Sequence, residues 1–295
     1  MGGMGRSFSA GHFALELDGA FAGFVRNVQG GGAVAEVVQE KLGADHIVRK
    51  HIGAVRYDDI VVTFGAGMSK AFYDWVGGAS RMKAVRKDGA VVVLDGSNNE
   101  LSRLDWTRGL ISEIDFPALD ATSKEPLSMT IKISPDLTRR VQGAGSQGAF
   151  TAKPKKDSTG SSFYLRIDGL EEACKHVTRI EPISLAWKKA LNSVGAERNY
   201  SIEVVPQNPG NLMITLPESR AKGFYDWFDD FVIKGNNSQD KEKRGTLEAG
   251  PFSLEFGNLG ALKMSEPSRS GGAAIRRTMV EMYCESISFN ASSDA

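Results

Sequence analysis

The sequence predicts a mainly β protein made of two tandem antiparallel β-barrel or sandwich domains, each with one flanking α-helix. Three observations support this fold class. A set of motifs occurs twice in the same order, most apolar runs are short and rich in β-branched residues, and each half carries one segment with helical spacing. Short apolar runs separated by turn residues are typical of sandwiches and barrels.

The composition argues against several classes of protein. Its 295 residues include 36 Lys+Arg and 36 Asp+Glu, so the formal net charge is zero. A dedicated nucleic-acid binder needs surplus cations for phosphate contacts, so this balance argues against that class. Two cysteines, Cys174 and Cys284, are too few for a disulfide framework. No apolar run approaches the ~20 residues of a membrane-spanning helix, and the N-terminus lacks the apolar region of a secretion signal.

Five pairs of motifs occur in the same order in the two halves of the chain. The spacing between the members of each pair stays between 150 and 152 residues. The pairs are Phe13–Gly19 with Phe163–Gly169, Gly43–Asp45 with Gly195–Glu197, Ile60–Phe64 with Leu212–Leu216, Lys70–Trp75 with Lys222–Trp227, and Leu104–Trp106 with Leu254–Phe256. Five ordered matches with near-constant spacing indicate a duplicated domain.

The two copies define the domain organisation that we expect. Residues 1–9 are predicted to be a flexible arm, residues 10–137 the first domain and residues 163–290 the second domain, followed by a tail at residues 291–295. Between the domains, residues 138–162 are rich in glycine, serine, proline and lysine and nearly free of large apolar residues. Such a composition disfavours packing, so this segment is predicted to be a linker.

Corresponding strands are predicted in the two copies. In Met129–Ile133 apolar and polar residues alternate, the period of a half-buried strand. Asp95–Asn99 is a hairpin turn signal between two strands. The first copy has predicted strands at Phe13–Leu17, Val55–Phe64, Ala90–Leu94, Leu101–Trp106 and Met129–Ile133. The second has them at Phe163–Ile167, Tyr200–Val205, Asn211–Leu216, Phe252–Phe256 and Met279–Cys284.

One helix is predicted in each copy. Met68–Val76 places Phe72, Trp75 and Val76 on one helical face, and Gly77-Gly78 is expected to end the helix. Phe72 and Trp75 are predicted core residues, with Tyr73 and Asp74 on the outer side. In the second copy Pro217 is expected in the first turn. Its apolar stripe is Phe224, Trp227, Phe228 and Phe231.

The ordered set of motifs in residues 10–137 resembles the tail tube proteins of contractile-tailed phages and contractile injection systems. The second copy, residues 163–290, matches this pattern more weakly. The matching pieces are Phe13–Gly19, Val55–Thr63, Phe72–Trp75, Lys87–Gly89, Val91–Asp95, Leu104–Trp106 and Met129–Ile133. The resemblance implies a small β-barrel with a flanking helix that assembles into six-fold rings, whose barrels join around a channel and whose rings stack into a tube.

This resemblance implies a structural protein without chemistry of its own. Expected partners are further copies of the chain in rings (a trimer with pseudo-six-fold symmetry or a hexamer) and stacked tubes, with sheath and baseplate proteins, and with DNA or cargo passing through the channel. The expected location is a virion tail or injection particle assembled in the bacterial cytoplasm. Gly30–His51, equivalent to the segment that contacts the next ring in the family, is the expected assembly surface.

We nominate no catalytic, cofactor-binding or metal-binding residue. Gly143–Gly148 fits the dinucleotide-binding motif G-x-G-x-x-G, but no helical pattern follows it. We therefore interpret it as part of the linker. Asp58-Asp59 and Asp229-Asp230 are expected to be solvated charges. The histidines His12, His46, His51 and His176 lack the ordered partners of a zinc site.

Two alternatives to a tube protein remain from the residues alone. A baseplate adaptor or tube initiator is the first, because two non-identical copies would match a three-fold hub to a six-fold tube. The second, from another class, is a ligand-binding pair of β-barrels or a hydrolase. That class needs convergent polar residues in a pocket, and the sequence shows no such set.

Overall fold

The computed structural model describes residues 12–41, 48–143, 150, 159–193, 200–205, 209–266 and 276–291. We call residues 12–142 repeat 1 and residues 163–291 repeat 2. Repeat 1 contains β1 (His12–Leu17), β2 (Ala20–Val25), β3 (Asn27–Gly30), β4 (Ala33–Lys41), β5 (Val48–Tyr57), β6 (Ile60–Phe64), α1 (Lys70–Ser80), β7 (Lys87–Leu94), β8 (Glu100–Phe116), β9 (Leu119–Asp120), β10 (Met129–Ser134) and β11 (Leu137–Gln142).

Repeat 2 follows a similar order. It contains β12 (Phe163–Ile167), α2 (Glu171–Cys174), β13 (Arg179–Ile180), β14 (Ile183–Ala186), β15 (Lys188–Ser193), β16 (Tyr200–Val205), β17 (Leu212–Pro217), α3 (Lys222–Phe228), β18 (Lys243–Ala249), β19 (Phe252–Ser265) and β20 (Arg277–Ala291). The predicted mainly β fold class is confirmed.

Two large antiparallel sheets hold most of the strands. The first has the order β2-β1-β7-β8-β10-β6-β3, with β11 and β14 also paired to β8, and the second has the order β12-β18-β19-β20-β17-β13-β9. Strands β4 with β5, and β15 with β16, form separate hairpins. Each large sheet therefore includes one strand from the other repeat, β14 in the first and β9 in the second.

The two repeats share their strand register, including two β-bulges. In repeat 1 the pairing of β7 with β8 shifts between Lys87 and Gly89, and in repeat 2 the pairing of β18 with β19 shifts between Lys243 and Gly245. The first shift needs a glycine, because a Cβ on Gly89 would lie 2.4 Å from the backbone oxygen of Glu16.

The second shared bulge lies where β8 meets β10 and where β19 meets β20. In repeat 1, Ser112 has no partner on the neighbouring strand, because Lys132 pairs with Glu113 and Ile133 pairs with Ile111. The bulge leaves out Leu262 in repeat 2, between Ala261 and Lys263. A bulge inserts one residue and bends the strand, so both long strands bend at the same position.

The main core is one apolar cluster with members from both repeats. Phe116 of repeat 1 lies with its ring centroid 5.2 Å from that of Phe252 and 6.0 Å from that of Phe289, both in repeat 2. All three side chains are almost fully buried. The repeats are therefore packed against each other by apolar burial, the main stabilising term in folding.

Helix α1 differs from its prediction in two respects. It runs through Gly77-Gly78 to Ser80, and Tyr73 is buried instead of facing outward. Both corrections have one cause, because strand β20 of repeat 2 covers this face of the helix. Glycine permits the close approach, since a Cβ on Gly77 would lie 3.1 Å from the backbone oxygen of Phe289. Phe72 and Trp75 are core residues, as predicted.

Helix α3 is preceded by a short 3₁₀ turn and followed by a π-helical turn at Asp229–Ile233. Pro217 ends strand β17 and caps the 3₁₀ turn, so its predicted place in the first turn of the helix is wrong. Phe224, Trp227 and Phe231 are buried as the predicted stripe requires, and Phe228 is half-buried.

The predicted linker is wrong for its first residues. Residues 138–142 belong to β11, which pairs along β8. Phe150, also in the predicted linker, is buried against a second apolar cluster, where its ring centroid lies 5.7 Å from that of Phe21. Composition missed both features because β11 is a half-exposed strand and Phe150 is a single apolar side chain among polar residues. Residues 1–11 and 292–295 lie outside the described residues.

Candidate assembly surface

The junction between the repeats is a continuous strand contact. Ile183–Ala186 of β14 lie antiparallel to Glu113–Phe116 of β8. At the next contact, β9 pairs with β13, and Arg179 Nη1 lies 3.6 Å from Asp120 Oδ2. Pairing a strand edge in this way removes the unpaired backbone groups that otherwise recruit other chains.

The bulge in β8 takes part in this contact. Ser112, the bulged residue, accepts a 3.0 Å hydrogen bond at its backbone oxygen from the backbone N–H of Trp187. Its side chain is buried, where Ser112 Oγ and Ser134 Oγ lie within hydrogen-bonding distance, 2.8 Å apart. The bulge therefore gives repeat 2 an additional acceptor just beyond the paired residues of β14.

Helix α1 forms the second layer of the junction. Tyr73 stacks on Phe289 with ring centroids 6.3 Å apart. Arg81 Nη1 donates to the backbone oxygen of Phe289 at 3.0 Å, and the backbone N–H of Phe289 donates to Ser80 Oγ at 2.9 Å. The helix thus satisfies both backbone polar groups of one strand residue in the other repeat.

A polar cluster of repeat 1 holds the hairpin β15–β16. Asp136 accepts hydrogen bonds from Arg86 Nη1 at 3.1 Å, from Arg108 Nε at 2.9 Å and from the backbone N–H of Ile202 at 3.0 Å. Arg86 also donates to Ser201 Oγ at 3.3 Å and to the backbone oxygen of Ile202. Charge-assisted bonds of this kind are stronger than neutral ones and fix the hairpin's position.

A free strand edge remains on repeat 2. Strand β19 pairs with β18 only as far as Leu259, whereas its pairing with β20 continues to Ser265. In the part of the chain that the structure describes, residues 260–265 therefore lack a strand partner on one side. Leu262, at the bulge, is 48% exposed. We call this segment with helix α3 and the cluster around Tyr283 the outer face of repeat 2.

The hairpin β4–β5 of repeat 1 carries most of the predicted assembly surface. Four apolar side chains on it are exposed to solvent, with Ile52 at 62%. These residues are Val37, Val38, Val48 and Ile52. Exposed apolar side chains grouped on one element are typical of interaction surfaces. We call this hairpin with strands β3 and β11 the outer face of repeat 1.

Burial perturbs three titratable groups of repeat 2. It raises the pKa of Tyr283 to about 12, assisted by Glu242, whose Oε1 accepts a 2.7 Å hydrogen bond from the Tyr283 hydroxyl. Burial also raises the pKa of each thiol, Cys174 and Cys284, to about 11. Only the thiolate is a good nucleophile, so both cysteines are poorly reactive at neutral pH.

The residues considered for chemistry are dispersed. Asp59 is not merely solvated, because it accepts a 2.6 Å hydrogen bond from Ser134 Oγ of the same repeat and another of 2.6 Å from Lys189 Nζ across the junction. Asp229 pairs with Lys234, and Asp58 and Asp230 are also on the surface. His46 and residues 144–148 lie outside the described residues.

The three described histidines have different surroundings and share no partner. His12 contacts Asn98, His51 lies 4.0 Å from Glu40, and His176 is half-buried after α2. Among the described residues, no group of three or more His, Cys, Asp or Glu side chains is arranged to hold a metal ion. Nor is any helix in the described ranges both long and apolar enough to span a bilayer.

Comparison with known families finds a match to most of the first repeat. Residues 9–136 match the family model of the T4-like virus tail tube protein gp19. This match covers nearly all of the first predicted domain, including strands β1–β10 and helix α1. No curated protein matches the sequence.

Three solved structures illustrate what the fold is similar to. A chain of the sheath–tube complex of an extracellular contractile injection system (PVC), in its extended state, is 16% identical, with 46% of this chain and 93% of that chain covered and a TM-score of 0.41. A chain of the anti-feeding prophage baseplate is 15% identical, with 48% and 98% covered and a TM-score of 0.40. Hcp1 from Flavobacterium johnsoniae is 22% identical, with 45% and 96% covered and a TM-score of 0.31.

Proposed function

We propose, from the match of residues 9–136 to the family model of the T4-like virus tail tube protein gp19, that this protein is a structural component of the tube of a contractile phage tail or injection system. Its copies join into rings around a channel, and the rings stack. Sheath and baseplate proteins are its expected partners, and DNA or cargo passes through the channel without sequence-specific binding. The particle assembles in the bacterial cytoplasm.

One observation supports this proposal in addition to the family-model match, namely that the sheets of the two repeats join edge to edge. Strand β14 of repeat 2 extends the sheet of repeat 1 through β8, and β9 of repeat 1 extends the sheet of repeat 2 through β13. A wall that is continuous around a channel requires sheet edges that pair between neighbouring units. The chain makes one such contact within itself.

We further propose that the repeats arose by duplication and that three chains form each ring. The shared bulges and register support duplication. The occupied edge supports the three-chain ring, because β14 already covers the β8 edge that repeat 1 would otherwise offer to another chain. Repeat 1 and repeat 2 then alternate around the ring, and each repeat occupies one of six similar positions.

Negative-stain microscopy of the purified protein tests the function directly. We expect rings with a central channel and tubes built from stacked rings. A monomeric particle at high protein concentration, without rings or tubes, would contradict the proposal. The family match and the edge pairing would then have to be explained by a different role.

The second candidate is a baseplate adaptor or tube initiator. The difference between the two helices favours it, since α1 continues through Gly77-Gly78 whereas α3 passes into a π-helical turn. A ring of three chains with two unequal repeats each has exact three-fold symmetry and approximate six-fold symmetry. Such a ring suits a junction between structures of different symmetry. Single rings that do not stack would favour the adaptor, and long homopolymeric tubes the tube protein.

A further inference from the structure

The strand register assigns each junction residue of repeat 1 a counterpart in repeat 2. Arg86 precedes Lys87 just as Glu242 precedes Lys243, and these two lysines occupy the same bulge position. Ser134 and Tyr283 occupy equivalent positions next to the second bulge. Asp136, two residues after Ser134, therefore corresponds to Glu285, two residues after Tyr283. These correspondences predict which residues of repeat 2 face the next molecule.

The counterparts reverse the charge of the cluster. At the internal junction Arg86 and Arg108 hold Asp136, and Arg86 donates to strand β16 of repeat 2. The outer face of repeat 2 instead carries Glu242 and Glu285 at these positions. Both carboxylates lie near Tyr283 and contribute to the rise in its pKa.

The acidic pair has unused capacity to bind a cation. Oε1 of Glu242 accepts the Tyr283 hydroxyl, but Oε2 is buried and lacks a hydrogen-bond partner among the described residues. Glu285 is exposed, and one of its oxygens accepts a 2.5 Å hydrogen bond from Asn258. A buried carboxylate oxygen without a partner is costly, and a guanidinium or ammonium group from a neighbour would satisfy it.

The matching strand of repeat 1 carries basic residues at the corresponding positions. Hairpins β4–β5 and β15–β16 share their register, with Gln39 opposite Lys50 and Leu191 opposite Ile202. Ser201 and Ile202, which contact Arg86, therefore correspond to Arg49 and Lys50. Both basic residues are exposed on β5.

A second pair of counterparts also places basic residues on the outer face of repeat 1. Phe289 of β20, which packs against Tyr73 and Arg81 of α1, corresponds to Arg140 of β11. Arg140 and its neighbour Arg139 are both exposed.

The counterpart of helix α1 is α3, where Tyr225 takes the place of Tyr73. Tyr225 is 38% exposed, whereas Tyr73 is 2% exposed. The turn that follows it places Asp229 and Asp230 where α1 has Gly77 and Gly78. In the corresponding contact, acidic side chains of the turn after α3 would therefore meet basic side chains of β11.

We propose that the acidic outer face of repeat 2 (Glu242, Glu285, Asp229, Asp230) binds the basic outer face of repeat 1 (Arg49, Lys50, Arg139, Arg140) of a second copy of this chain. The contact repeats the geometry of the internal junction, with ion pairs at positions where the internal junction has bonds to backbone groups and apolar contacts. This assignment rests on the proposed ring function.

Charge directs the order of the repeats in this arrangement. A contact between the outer faces of two repeat 2 units would bring carboxylates together, and one between two repeat 1 units would bring cations together. Like charges at an interface suppress wrong pairings, whereas complementary charges accelerate and orient the correct one.

Reciprocal charge reversal tests this interface in the full chain. One variant carries Glu242→Lys and Glu285→Lys, a second carries Arg49→Glu and Lys50→Glu, and a third carries all four changes. The control reverses two exposed carboxylates away from the junction, Glu172→Lys and Glu248→Lys. Sedimentation velocity measures assembly, and circular dichroism with thermal melting confirms that each variant is folded.

The wild type and the control are expected to assemble equally. Each two-residue junction variant should stay folded but associate at least about tenfold more weakly, because like charges then meet at the contact. The four-residue variant should recover most of the assembly. Normal assembly by either two-residue variant, or no recovery in the four-residue variant, would overturn the interface while leaving the tube function intact. Failure of the wild type itself to assemble would count against the proposed function.

Discussion

The backbone N–H of Trp187 in repeat 2 donates a 3.0 Å hydrogen bond to the backbone oxygen of Ser112 in repeat 1. Ser112 is the bulged residue of β8, and its counterpart in repeat 2 is the exposed Leu262 of β19. The same local distortion is thus covered by a strand inside the chain at one position and open to a neighbour at the other. In the proposed assembly, the internal junction is therefore the template for the contact between molecules.

Replacing Trp75 by alanine should destabilise repeat 1. The indole is 3% exposed, and its Nε1 donates a 2.8 Å hydrogen bond to the backbone oxygen of Val85. Loss of a buried tryptophan typically costs roughly 3–5 kcal/mol. Denaturant unfolding measures the change, with Asp74→Ala on the exposed side of the same helix as the control. An unchanged free energy of unfolding for Trp75→Ala would refute the core assignment.

Two neighbouring glycines of α1 should respond differently to alanine. A Cβ on Gly78 would have 4.0 Å of clearance from the nearest atom, Cβ of Lys83, so Gly78→Ala should gain helix propensity of up to about 1 kcal/mol. A Cβ on Gly77 would lie 3.1 Å from the backbone oxygen of Phe289 and crowd the junction.

Gly77→Ala should therefore be less stable than Gly78→Ala by at least about 1 kcal/mol, in the range known for overpacked sites. Unfolding curves of the two variants under identical conditions give this difference. Equal stabilisation by both would show that the helix does not press on β20.

Removing the hairpin of repeat 1 should abolish tubes without unfolding the chain. Residues 35–50 span most of the hairpin, which pairs only with itself in the sheet arrangement of the described residues. Its deletion therefore removes exposed apolar and basic side chains from the outer face without cutting either large sheet. Microscopy should show no tubes, while circular dichroism still reports a folded β protein. Normal tubes after this deletion would eliminate the hairpin as an assembly surface.

Stability should fall at high pH through Tyr283. Its pKa is raised to about 12 in the folded chain, from an ordinary value of 10.0. A raised folded pKa means that the neutral phenol is favoured in the native state, so its contribution is complete below pH 10 and disappears as the pH rises towards about 12.

The free energy of unfolding of the wild type should therefore decrease more steeply than that of Tyr283→Phe between these pH values. The difference between the two proteins, measured by denaturant unfolding at several pH values, isolates this one group. Parallel pH profiles would show that Tyr283 has no perturbed titration.

The sequence was sufficient for the features that depend on local pattern. Alternation predicted the strand at Met129–Ile133, and helical spacing predicted the burial of Phe72 and Trp75. It failed where the partner is distant in sequence. Gly77-Gly78 resembles a helix end until Phe289, more than two hundred residues later, packs against it.

The junction itself was missed for the same reason. Arg86 and Asp136 carry no local motif, and only the folded chain brings them to Ile202. A signal was nevertheless present in the repeat, because aligning the copies places Glu242 and Glu285 at the positions of Arg86 and Asp136. In the proposed assembly, the change from Arg86 to Glu242 distinguishes the internal face from the external one.

The mass of the native ring tests the central claim most directly. Native mass spectrometry of the purified assembly should give a ring of ~95 kDa, three times the chain mass of 31.8 kDa, because two repeats from each of three chains fill six positions. A ring of six chains, at ~190 kDa, would contradict the alternation of repeats around the channel. A stable monomer with no larger species would contradict the completion of sheet edges by neighbouring molecules.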